Sequence, residues 1–192
     1  MGLAKQAKTL TKRQAALVIS YLGQTRYPDR NRAIFLLSIK AGLRAKEIAA
    51  LTWAMVTDAE GELGAAIHLQ DVASKGKSGR VIPLNAELRA ALQLLFNVPK
   101  KGDFVIASER SSQTSAPVIV NLFAGWYQAL NFTGCSSHTG RRTFITNAAR
   151  QISGVGGSLR DVQNLAGHAA LSTTQLYIEC HADAQQRVVA LV

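Results

Sequence analysis

Apolar residues recur along this chain at helical spacing far more often than they alternate. Thr11, with Gln14 three positions on, has the form of a capping box and opens a periodic segment through Leu17, Val18 and Leu22 that stops near Gly23. Pro28 and Asp29 start a second helix, whose Ala33, Ile34, Leu36, Leu37 and Ile39 run on to a terminating Gly42. A short helix over Ala45 to Leu51 follows. The period then changes: Ala65 to Gln70 and Arg80 to Leu84 read as strands, and the Ser74 to Gly79 stretch between them as a turn. This predicts a small antiparallel hairpin carrying two lysines. Asn85 is placed to cap a helix containing Leu88, Leu92, Leu95 and Phe96. Phe104 to Ala107 reads as a short strand, 108–116 as a loop, and Pro117 as the first turn of a helix through Leu122, Trp126 and Leu130. Helices over about His138 to Ile152 and from a Ser158/Asp161 capping pair come next. Ser172 is expected to cap a last short helix that carries Tyr177. With no repeat and no long linker, the chain reads as one domain, mainly α with a small β-sheet (α+β).

Composition narrows the class without naming a function. A chain of 192 residues with 47% hydrophobic positions hides roughly 70% of its unfolded surface, so intrinsic disorder is excluded as the main state. No apolar run approaches the ~20 residues of a membrane span, and the N-terminal stretch lacks the apolar core of a secretory signal, so a cytoplasmic setting without membrane contact is expected. Cys135 and Cys180 make neither a disulfide framework nor a zinc ligand set. The net charge of +10 is unevenly distributed. Residues 1–50 hold ten Lys/Arg against two acids, 51–110 seven against seven, and 111–192 five against three. A basic region of this kind favours a polyanionic partner, with nucleic acid the commonest.

In chain order the sequence offers Arg44 within Gly42-Leu43-Arg44-Ala45-Lys46-Glu47-Ile48, then Lys75 ahead of Arg80-Val81-Ile82-Pro83-Leu84. His138-Thr139-Gly140-Arg141, Gly167-His168 and Tyr177 in STTQLYIE follow. Singly these are weak signals; together and in this order the chain resembles the tyrosine recombinase (phage integrase) family over nearly its whole length. The resemblance implies an integrase-like DNA breaking-rejoining catalytic domain with Arg44, Lys75, His138, Arg141, His168 and Tyr177 as its catalytic set. At this length the chain resembles the short members, such as the fimbrial-switch recombinases, or else an excised catalytic domain.

The chemistry of these residue types agrees with that assignment. Attack on a phosphodiester builds negative charge on the non-bridging oxygens, which the guanidiniums of Arg44 and Arg141 would stabilise bidentately. A tyrosine of ordinary pKa, about 10, needs help to lose its proton, and His138 and His168 are the candidates for that help and for phosphate hydrogen bonds. Lys75, with Lys77 as second choice, would protonate the leaving 5′-oxygen. Arginines supply the charge that magnesium supplies elsewhere, so neither a metal nor a cofactor is expected. Glu47 is expected to orient Arg44 and a nearby histidine, and Lys77, Arg80 and Arg142 to contact the DNA backbone.

The resemblance further implies a site-specific recombinase or integrase working through a 3′-phosphotyrosyl intermediate on double-stranded DNA, as a homotetramer there and as a monomer or weak oligomer elsewhere, with DNA-bending proteins as potential accessories. A non-cleaving DNA-binding regulator and a type IB topoisomerase are the alternatives; the complete residue set favours the recombinase. Relative to the family, Gly140 and Arg142 replace a leucine and a histidine, which puts the packing near Arg141 in question. The sequence starts about ten residues before the first helix of the expected catalytic domain, so no separate N-terminal core-binding domain is expected. The apolar tail at 182–192, with Val188, Val189 and Leu191, is expected to dock on a neighbouring copy or in cis.

Overall fold

A computed structural model describes residues 7–74, 78–177 and 189–190. Its elements are α1 (Lys12–Leu22), α2 (Pro28–Ala41), α3 (Ala45–Ala50), β1 (Ala66–Leu69), β2 (Arg80–Pro83), α4 (Ala86–Phe96), α5 (Ala116–Ala129), α6 (Thr139–Gln151), α7 (Leu159–Ala166) and α8 (Leu171–Gln175). The mainly helical reading holds, with a small two-stranded sheet on one side.

Helix α2 is the centre of the molecule. Nine of its residues are buried, on every side of the helix, because α1, α3, α4 and α6 all pack on it. Ala33, Ile34, Phe35, Leu36 and Leu37 are fully inaccessible to solvent. Helix α5 buries one stripe, Ile119, Phe123, Trp126 and Tyr127, at helical spacing. In α1 the buried residues are Val18 and Leu22, whereas Leu17 faces outward at 47% exposure.

The strands pair antiparallel, with Ile67 opposite Ile82 and His68 opposite Val81. The isoleucines point into the core, while His68 and Val81 face solvent. The caps follow the sequence closely. The Thr11 side chain and Gln14 satisfy each other's backbone N–H groups, Asn85 Oδ1 accepts from the Glu87 N–H, and Ser158 and Asp161 form a second reciprocal pair.

Three expectations need correction. Phe104 to Ala107 is not a strand: Thr52 and Phe104 form a single bridge, and Ile106 O then accepts from Thr114 N as the chain turns. Val105 and Ile106 are apolar because they are buried, a cause that a short hydrophobic run does not distinguish from strand pairing. The last helix begins at Leu171 with Ala170 as its N-cap, so Ser172 lies inside it and Tyr177 lies just beyond its end.

Gly140 is the third. It does not loosen the packing around Arg141, because it is the point where α6 closes on α2. A Cβ there would lie 2.9 Å from Ser38 Cβ and collide with the Ser38 hydroxyl. The missing side chain is replaced by a helix–helix contact.

Candidate active site

Four chain reversals bring the site together. The first ends α2 at Gly42, whose φ of 67° suits glycine, and a Cβ there would lie 2.5 Å from the Phe144 ring. Leu43 is then buried and Arg44 begins α3. The second is the turn before α6, where Thr139 Oγ1 accepts from Ser136 N and the Ser136 carbonyl accepts from Thr139 N. This leaves His138 exposed at the N-cap and Arg141 buried one turn in. The third ends α7 at Gly167, φ 61°, with His168 N–H donating to Gln163 O and Gln163 Nε2 donating back to His168 O at 2.9 Å. The fourth follows α8, where Tyr177 N–H donates to Thr174 O.

Arg44, His138, Arg141, Arg142, His168 and Tyr177 line one cleft of about 450 Å³. Arg141, 4% exposed, donates from Nη1 to Gly42 O at 2.7 Å and from Nη2 to Ala166 O at 2.6 Å. Two carbonyl contacts leave three of its five N–H bonds for other acceptors. Burial, then the neighbouring charge of Arg44, lowers its pKa to about 10, so it stays cationic at neutral pH. Arg44 Nη1 donates to Glu47 Oε1 at 2.7 Å, and the Arg44 N–H donates to Glu47 Oε2. Burial alone would raise the Glu47 carboxyl, but hydrogen bonding and charge from Arg80, with help from Arg44, hold it below the usual carboxylate range. With Arg80 close behind them, Arg44 and Arg141 outnumber the single carboxylate of Glu47, a surplus of positive charge that suits an anion.

His168 and Tyr177 form an offset stack, with ring centroids 5.6 Å apart and planes 25° from parallel. The His168 Nδ1 lies 2.9 Å from Thr174 Oγ1. Burial, then the charges of Arg141, Arg44 and Arg80, pushes His168 down to about 4, so the imidazole is neutral at physiological pH.

Not every expected residue falls in this cleft. Arg80, expected on the DNA backbone, points inward with its side chain 6% exposed. It grips both oxygens of Glu47 at 3.2 and 3.1 Å and donates from Nε to Leu165 O at 2.9 Å, so its donors are engaged within the protein. Glu47 pairs with Arg44, and its second partner among the described residues is Arg80 where a histidine was expected. Lys75 and Lys77 lie outside the described residues, as do Cys180 and most of the 182–192 tail; within the tail, Val189 is 71% exposed. Two contributors escaped the sequence reading. The only signal for Thr174 is its place three residues before Tyr177, and Gln163 has no signal apart from a polar residue on the buried side of α7. Among the described residues, no three His, Cys, Asp or Glu side chains are grouped so as to hold a metal ion.

Comparison with known proteins adds the lineage. The phage integrase family model matches residues 8–184. The chain is 32% identical over 186 residues to the tyrosine recombinase XerC of Shewanella amazonensis, covering 92% of this chain and 59% of that protein. It is 28% identical over 185 residues to the tyrosine recombinase XerD of Rickettsia prowazekii, covering 88% and 57%. The chain thus spans less than two thirds of these relatives. Among solved structures, the Tn1549 transposon integrase in complex with a circular intermediate DNA superposes with a TM-score of 0.80 at 18% identity, covering 99% of this chain and 67% of that one. The XerA recombinase matches with a TM-score of 0.72 at 20% identity, covering 100% and 65%.

Proposed function

The chain belongs to the phage integrase family, and from that premise we propose that it is the catalytic domain of a site-specific DNA recombinase that cuts and rejoins double-stranded DNA through Tyr177. The observation that carries the reading is the convergence of Arg44, Arg141, His138, His168 and Tyr177 on one cleft with a surplus of fixed positive charge.

In the proposed reaction the Tyr177 oxygen attacks the scissile phosphorus, the bond to the 5′-oxygen breaks, and a 3′-phosphotyrosyl link forms. The tyrosine gives up its proton to one of the two histidines, and the departing 5′-oxygen takes one up, with Lys75 the preferred donor and Lys77 the second choice. Arg44 and Arg141 hold the non-bridging oxygens. Both are braced, by Glu47 and by two backbone carbonyls, so they need little reorganisation as charge builds. Attack by a 5′-hydroxyl from another strand reverses the step. The covalent link conserves the bond, so no nucleotide is consumed, and the arginines fill the electrostatic role a metal would have. Arg142, which lines the cleft, is assigned to the DNA backbone, and the basic N-terminal fifty residues extend that track.

The decisive experiment incubates the protein with a pool of nicked suicide duplexes of randomised core sequence and resolves covalent adducts by denaturing electrophoresis. Wild type is expected to form an adduct and Tyr177→Phe none. Equal adduct from both proteins would refute the assignment of the nucleophile.

A further inference from the structure

Thr174 is fully buried, three residues ahead of Tyr177, and its hydroxyl makes one side-chain hydrogen bond among the described residues, to Nδ1 of His168 at 2.9 Å. A hydroxyl carries one proton, and a neutral imidazole carries one on either nitrogen. If Nδ1–H were the donor, the Thr174 proton would be left buried without an acceptor, which is the costly arrangement. If the hydroxyl donates, both groups are satisfied and the imidazole proton sits on Nε2.

The tautomer matters because the ring is neutral. It is faced by Arg141, Arg44 and Arg80 and stacked on Tyr177, and it holds a single proton at physiological pH. The stacking carries a second consequence. A ring nitrogen accepts a proton along its own plane, whereas the Tyr177 ring stacks on the imidazole with an offset, the planes 25° from parallel.

Building on the recombinase reading above, we propose that Thr174 is a positioning residue that locks His168 in the Nε2–H tautomer, making it a hydrogen-bond donor to the scissile phosphate and not the base for Tyr177. Thr174 also sets the nucleophile's backbone, since its carbonyl accepts the Tyr177 N–H at 3.0 Å. One residue therefore fixes both the donor and the chain that carries the attacking oxygen.

The test has a readout that needs no DNA. In 15N-histidine-labelled protein, with the His168 signals assigned against His168→Gln, wild type and Thr174→Ser should show a protonated-type Nε2 and an unprotonated-type Nδ1. Thr174→Val, nearly isosteric, should shift both signals towards their tautomeric average. On the suicide duplex at saturating DNA, Thr174→Val should form adduct about tenfold more slowly, with DNA affinity unchanged, and Thr174→Ser should stay within about threefold of wild type. A protonated Nδ1 in wild type, or a valine variant with wild-type tautomer and rate, overturns the proposal. Absence of adduct from wild type would count against the recombinase reading alone, because the spectra still decide whether Thr174 holds the ring.

Discussion

His168 shows how far a residue's chemistry departs from its identity. As a free side chain it would titrate near 6.5, and only its surroundings bring it to about 4. The native state therefore binds fewer protons than the unfolded state between these values. This site's contribution to stability is intact above pH 6.5 and is lost as the pH falls towards 4. Urea midpoints should drop between pH 7 and pH 4.5 in wild type and drop less in His168→Gln; equal drops would mean the ring is not buried as described. The identities of Arg44, His138, Arg141, His168 and Tyr177 were legible because each sits in a short motif, and the structure brings all five to one cleft. Their partners were not legible. Arg80 bonds to Glu47 and Leu165, 33 and 85 positions away, and Thr174 to His168 across the turn between α7 and α8; a linear pattern encodes neither contact.

At the level of elements, boundaries were readable wherever one residue caps the helix chemically, as the side chains of Thr11, Asn85 and Ser158 do at N-termini and the left-handed Gly42 does at a C-terminus. They were unreadable where packing decides, as at Phe104 to Ala107 and the start of α8. Gly140 puts the two kinds of information in opposition. Helix propensity alone predicts that Gly140→Ala stabilises the protein by about 1 kcal/mol. The contact with Ser38 predicts the reverse, because both Ser38 and Gly140 are buried on rigid helices and the collision involves Cβ and the hydroxyl together. Overpacking of this kind costs about 1–3 kcal/mol, so the net change should be destabilising, measurable as a lower urea midpoint. The same displacement would move Arg141, one residue on, away from the Gly42 carbonyl it grips.

At the scale of the whole molecule, the cleft lies where two hydrophobic clusters meet. The larger is built on α2; the smaller joins Ile145, Val162 and Ala166 of α6 and α7. Two arginines tie them. Arg141 reaches from α6 to the carbonyl ending α2 and to Ala166 of α7, and Arg80 reaches from β2 to Glu47 of α3 and to Leu165 of α7. Gly167 is needed here a second time, since a Cβ would lie 2.9 Å from Arg80 Nη1. His168 follows directly, so the geometry of the cleft depends on how firmly α7 is held. Arg80→Ala removes one partner of a pair in which Glu47 is 1% exposed. Breaking such a pair costs on the order of 3–5 kcal/mol, and because Glu47 keeps Arg44 the loss should fall near 3. The unfolding midpoint of the DNA-free protein should drop accordingly, and hydrogen exchange should accelerate over 159–168 before it does in α2. A surface arginine that only touched the DNA backbone would behave in the opposite way, lowering DNA affinity and its salt dependence while leaving the free protein's stability and exchange unchanged. The two measurements therefore separate an arginine that braces the cleft from one that tracks DNA.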